Sequence, residues 1–146
     1  MRTTLEAVAD LIRFYEGLSP GSLGEISRLY APGASFKDPF NEVRGVEAIE
    51  RIFRHMYTQV HEPRFSVLSH LAEEGEAWLA WEFRFRFRGW RSGEVQCVRG
   101  ATHLRFAPDG QVLVHRDYWD SGEELFAKLP VLGFLVGWLR RRLAAS

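Results

Sequence analysis

Three residues of this chain have the types and positions to move protons: Asp38, His115 and Asp117. In the run Val112-Leu113-Val114-His115-Arg116-Asp117-Tyr118-Trp119, the strand period of two puts Leu113, His115, Asp117 and Trp119 on one side. Val112, Val114, Arg116 and Tyr118 fall on the other. An imidazole and a carboxylate then flank an indole, and strand neighbours two residues apart lie about 6.5 to 7 Å from each other, so both can reach one bound molecule. Asp38 shares its expected face with Ala34 and Phe36, an apolar setting. A buried carboxyl has its pKa raised and can hold or take a proton near neutral pH, as general acid–base catalysis requires. Two such carboxylates close together titrate as a coupled pair, which keeps one of them protonated.

Plainer roles fit the same residues. Asp38 precedes Pro39 and could close a turn by accepting backbone hydrogen bonds. Asp117 could be half of an ion pair with Arg116, Arg99 or Arg105, and His115 could be a core histidine with both nitrogens satisfied. No HExxH, paired CxxC or second histidine close by accompanies His115, and GxGxxG, P-loop and GxSxG motifs are missing. The chemistry expected is therefore cofactor-free and metal-free. Cys97 sits mid-strand among apolar neighbours, which favours an inert thiol.

The elements that must position these groups follow from hydrophobic periodicity. Thr3 and Glu6 have capping-box spacing ahead of Leu5, Val8, Leu11, Ile12, Tyr15 and Leu18, an amphipathic helix. Ser22 and Glu25 repeat that signal before Leu23, Ile26, Leu29 and Tyr30, with Pro32-Gly33 as the stop. A third helix follows Gly45, with Val46, Ile49, Ile52, Phe53 and Met56 inward. Strands are expected at 34–38, at 64–72 with Phe65, Val67, Ser69 and Leu71 together, and at 77–88. In the last, Ala77, Leu79, Trp81, Phe83, Phe85 and Phe87 alternate with a largely charged face. The segments 95–106 and 111–119 form an antiparallel hairpin across Ala107-Pro108-Asp109-Gly110. A final helix runs from about Ser121, broken at Pro130 and resumed through Leu139.

That order is α+β: a curved, mostly antiparallel sheet wrapped over helices, enclosing a pocket where its concave face meets them. With 146 residues, one domain spanning 1–146 is expected, 121–146 being a helical extension. Nineteen basic and nineteen acidic residues cancel, which argues against nucleic acid as a partner. Arg84, Arg86 and Arg88 alternate with Phe83, Phe85 and Phe87, so rings and guanidiniums lie on opposite faces and form no stacking platform. One cysteine and an N-terminal segment punctuated by Glu6, Asp10 and Arg13 point to the cytoplasm. Residues 129–139 are apolar on nearly all sides and Arg140-Arg141-Arg142 follows. This tail is too short to span a bilayer and is expected to cover the pocket mouth, enter a dimer, or touch a membrane surface.

The segments Leu29-Tyr30-Ala31-Pro32-Gly33-Ala34-Ser35-Phe36-Lys37-Asp38-Pro39-Phe40, Arg44-Gly45 and His115-Arg116-Asp117-Tyr118-Trp119 resemble the SnoaL-like branch of the nuclear transport factor 2-like superfamily. That family includes ketosteroid isomerases, limonene epoxide hydrolases, polyketide cyclases and binding domains. The resemblance implies a cone of curved sheet over three helices, commonly a homodimer. It sets Asp38 on the isomerases' proton-shuttling aspartate, Trp119 on a pocket tryptophan, and Asp117 on an acid/base aspartate of the hydrolases and cyclases. Phe14, with Tyr15 beside it, stands where the isomerases carry an electrophilic tyrosine, and Thr102 where they carry a protonated aspartate. The expected function is acid/base chemistry by Asp38, Asp117 and His115 on a hydrophobic oxygenated small molecule. Phe14, Tyr15, Phe36, Phe53, Trp81, Phe83, Thr102 and Trp119 are the expected substrate-binding residues. The alternative is a non-catalytic binder of a lipid-like ligand.

Overall fold

The computed structural model describes residues 2–89, 92–121 and 130–144. Helix α1 (Thr4–Glu16) starts at the expected capping box: the Glu6 backbone N–H donates to Thr3 Oγ1 at 3.1 Å and the Thr3 N–H to Glu6 Oε2 at 2.9 Å. Its Ala7, Val8, Leu11, Phe14 and Tyr15 are buried, one stripe at helical spacing. Helix α3 (Val46–Gln59) buries Ile49 and Phe53, with Val46, Ile52 and Met56 packed against the core.

The second expected helix is cut short. A 3₁₀ turn covers Pro20–Glu25, α2 is only Ile26–Leu29, and Tyr30 opens strand β1 (Tyr30–Lys37). Pro20, Gly21 and Gly24 are poor formers of a continuous α-helix, and Ser22 bonds back to Ser19 rather than capping forward. The other strands are β2 (Glu42–Arg44), β3 (Val60–Glu73), β4 (Glu76–Phe87), β5 (Gln96–Phe106) and β6 (Val112–Tyr118). They form a curved, unclosed six-stranded sheet in the order β2-β1-β6-β5-β4-β3, antiparallel except for β1 beside β6. The β5–β6 hairpin closes where expected. Gly110 takes φ 90° there, and its N–H donates to the Ala107 carbonyl at 2.9 Å.

Two bulges correct the strict alternation. In β3, Val67 pairs with Trp81 and Ser69 with Ala80, so Leu68 is an extra residue. Beyond it Ala72 packs on the core, and Leu71 is 78% exposed opposite Trp78. In β6, Val112 pairs with Phe106 and Val114 with Arg105, so Leu113 is the extra residue. Val112 and His115 are both buried as a result, and Leu113 leaves the expected inner face. The bulge is what lets one short strand supply an apolar anchor at its start and polar groups at its end.

After Ser121 the chain is described again from Pro130, where α4 (Pro130–Leu143) begins; a break before Pro130 lies outside the described residues. Among the described residues no helix is long and apolar enough to cross a membrane.

Candidate active site

A line of hydrogen bonds runs through the core between the sheet and α1. The Tyr15 and Tyr30 hydroxyls lie 2.5 Å apart, Tyr30 Oη is 2.8 Å from His115 Nδ1, and His115 Nε2 is 2.7 Å from Asp117 Oδ1. From the other side, the Trp81 indole N–H donates to Thr102 Oγ1 at 2.7 Å, and Thr102 donates to the same Asp117 oxygen at 2.6 Å. The sheet register brings these together, since Thr102 pairs with Asp117 across β5–β6 and Phe36 with His115 across β1–β6.

Donor and acceptor counting sets the direction. Thr102 and the indole have a fixed sense, both pointing protons toward Asp117. With Asp117 ionised, His115 donates from Nε2, leaving Nδ1 to accept from Tyr30, whose oxygen accepts from Tyr15. Every proton then points at one carboxylate. Doubly protonated, His115 would force Tyr30 to turn round and donate to Tyr15, whose own proton would enter an apolar space. Burial raises the Tyr15 phenol well above its ordinary pKa, and a nearby Tyr30 and the Asp117 charge add to it. Tyr30 is raised mainly by burial, the Tyr15 hydrogen bond opposing. Both phenols therefore stay protonated donors.

Asp117 Oδ1 is saturated, whereas Oδ2 has no hydrogen-bond partner among the described residues. The residue is the shared wall of two spaces. Inside, a cavity of about 40 Å³ is lined by Tyr15, Phe53, Phe65, Val67, Leu79, Trp81, Thr102, His115 and Asp117. Outside, an open groove of about 530 Å³ runs past Lys37, Asp38, Pro39, Arg116, Tyr118 and Trp119. The inner space holds about one water, and the outer has the volume of a small-molecule site. Trp81 narrows the inner space by lying over Gly100, where a Cβ would come within 2.6 Å of the indole ring.

Asp38 does not join His115 and Asp117 in one apolar chamber, as the sequence led us to expect. It follows β1, and its Oδ1 accepts from the Phe40 N–H at 2.8 Å and the Asn41 N–H at 2.7 Å, with Asn41 Nδ2 at 3.1 Å. It is a turn-closing aspartate that edges the outer groove. Trp119 lies there too, edge-on to Phe40. Of the residues expected to bind substrate, Tyr15, Phe53, Trp81 and Thr102 line the inner cavity. Phe14, Phe36 and Phe83 stand behind that lining: Phe14 packs edge-on against Tyr15, Phe36 stacks on the His115 ring at 4.5 Å, and Phe83 stacks on Phe65 at 4.3 Å. Asp117 pairs with none of the arginines considered for it. Sequence reasoning missed Tyr30, placed in a helix; a buried tyrosine needs a partner for its hydroxyl, and that need was the available signal.

A family model described as a SnoaL-like domain matches residues 11–115. The chain belongs to the SnoaL-like domain family. A steroid Δ-isomerase of Nocardioides simplex is 28% identical over 120 residues, covering 81% of this chain and 93% of that protein. Among solved structures, a protein of ketosteroid isomerase-like fold from Catenulispora acidiphila, in complex with trimethylamine, superposes with TM-score 0.72 at 19% identity. It covers 88% of this chain and 96% of its own. A putative SnoaL-like polyketide cyclase from Jannaschia gives 0.68 at 20% identity, over 80% of this chain and 85% of that one. These structures establish the cone-like fold of this SnoaL-like protein. Enzymes are found among its relatives.

Proposed function

We propose that this protein is an acid–base enzyme in which Asp117 removes a proton from carbon beside a carbonyl in a hydrophobic small molecule. Isomerase and cyclase chemistry both begin with such a step, and the names of the relatives above favour that class. The observation that carries the reading is the asymmetry of Asp117: one oxygen takes the donors of His115 and Thr102, and the other has no hydrogen-bond partner among the described residues, on a residue that fronts a 530 Å³ groove. A base held by two donors keeps its orientation while its free oxygen accepts the substrate proton. His115 is a positioning residue, kept in one tautomer by Tyr30, as the third member of a triad holds its histidine. The substrate body lies in the outer groove against Trp119. Only its reacting edge reaches the inner space, because about 40 Å³ leaves no room for a ring.

The test needs no known substrate. A panel of hydrophobic ketones and β-ketoesters is incubated with the protein in D2O, and deuterium at the α-carbon is read by mass spectrometry. Wild type should exchange at least one class faster than buffer, and Asp117→Asn should lose about 10²- to 10⁴-fold. Exchange that is unchanged in Asp117→Asn, or a ligand bound tightly with no exchange at all, overturns the reading and favours a binder.

A further inference from the structure

Helix α4 lies beyond the matched SnoaL-like region, and none of its described residues lines the two spaces above. Its Phe134, Leu135, Trp138, Leu139 and Leu143 are 47% to 82% exposed. On a helical projection Phe134, Leu135, Trp138 and Leu139 form one stripe, at i, i+1, i+4 and i+5; Gly133, Gly137 and Arg140 fall opposite it, Arg141 flanks Phe134, and Arg142 follows Trp138 on the stripe itself and ends it. Arg140, Arg141 and Arg142 follow one another, and no acidic residue occurs from Pro130 to Ser146. The chain as a whole carries no net charge, so this cluster is a local excess of three positive charges. The Arg142 guanidinium sits 5.5 Å from the Trp138 ring centroid, which places a cation and an indole together where the apolar stripe ends, at the C-terminal turn of the helix.

We infer that α4 is an interfacial helix that docks on an anionic phospholipid surface. Its stripe of phenylalanine, leucine and tryptophan would enter the acyl boundary, and its arginines would lie at the phosphates. Fourteen residues span about 21 Å, too short to cross a bilayer and long enough to lie along one. Charge separates this occupant from a second copy of the chain. A parallel self-pairing of α4 would set two acid-free arginine runs side by side and an antiparallel one would leave each run without a counter-charge from the partner's α4, whereas anionic head groups neutralise them.

Co-sedimentation with vesicles tests this. Full-length protein should partition onto vesicles of equal parts phosphatidylglycerol and phosphatidylcholine about 100-fold more strongly than onto phosphatidylcholine alone, given a factor of about five for each of three arginines. Half-molar salt should remove most of that preference. Replacing Arg140, Arg141 and Arg142 by Glu should abolish it. Phe134→Ser with Trp138→Ser should weaken binding to both vesicle types, with far-ultraviolet circular dichroism confirming the fold. Binding that ignores head-group charge overturns the inference. So does the absence of vesicle binding together with a dimer, seen by sedimentation velocity, that Phe134→Ser with Trp138→Ser dissociates; α4 is then a contact between copies. Ketone exchange in D2O is measured separately on vesicle-free protein, so failure of either proposal is read without the other.

Discussion

The sheet carries two histidine–carboxylate pairs of nearly equal length on opposite faces. Inside, His115 and Asp117 lie 2.7 Å apart with side chains 5% and 18% exposed; outside, His103 and Glu76 lie 2.6 Å apart at 18% and 39%. The outer pair is stacked on: Trp78 lies over His103 at 4.6 Å, Arg105 approaches Glu76 at 3.9 Å, and Arg116 caps the neighbouring Tyr118 ring. The His103 hydrogen bond, opposed by a little burial and aided by Arg105, holds the Glu76 carboxyl below its ordinary pKa. Among the described residues no arginine pairs with the inner carboxylate, and the pair is instead extended by two phenols and a hydroxyl. Equal distance therefore says little about role. What differs is where the remaining polar atoms lead: to solvent and a stacked indole outside, and inside to a wired core ending on a carboxylate whose second oxygen has no partner among the described residues.

The largest effect that distinguishes the pairs is catalytic. Asp117→Asn should cut deuterium exchange about 10²- to 10⁴-fold, and Glu76→Gln should leave it within a factor of two of wild type. Next comes stability. Thr102→Val deletes the acceptor of the buried Trp81 N–H and one donor to Asp117, so urea unfolding should show a loss of about 1–3 kcal/mol.

A third effect appears in alkali. The folded-state pKa values of Tyr15 and Tyr30 lie above their ordinary value of 10.0, so the fold keeps protons that the unfolded chain releases. Stability from these phenols is fully present below pH 10 and falls as pH rises beyond it, by about 1.4 kcal/mol per pH unit for each group. Tyr30→Phe should make that decline shallower in pH-dependent urea melts. The smallest effect belongs to the outer pair. Glu76 is depressed, so its contribution is present above pH 4.5 and fades as pH falls toward the folded value. Glu76→Gln should flatten only that acid limb, and added salt should mask the difference.

Much of this was legible in the chain. The alternation from Ala77 to Phe87 gave β4 its buried face, the Thr3–Glu6 spacing gave the start of α1, and Pro108-Asp109-Gly110 gave the last hairpin. The bulges at Leu68 and Leu113 were not, because a period of two carries no mark of an extra residue until the partner strand is known. Of the site, His115 and Asp117 were found as strand neighbours and are bonded to each other. Asp38 misled because its apolar companions Ala34 and Phe36 end with β1, after which the local need to close the Pro39–Asn41 turn takes the carboxylate. Tyr30 was hidden by the helical spacing that precedes it, although its hydroxyl is the link between α1 and the imidazole.

The direction of the inner chain is open to direct measurement by ¹⁵N NMR of the histidine rings in ligand-free protein above pH 8. The account predicts that His115 carries its proton on Nε2, toward Asp117, with Nδ1 bare and accepting from Tyr30. A proton on Nδ1 instead would reverse the phenol chain, leave Asp117 without that donor, and contradict the arrangement from which its role as the base is derived.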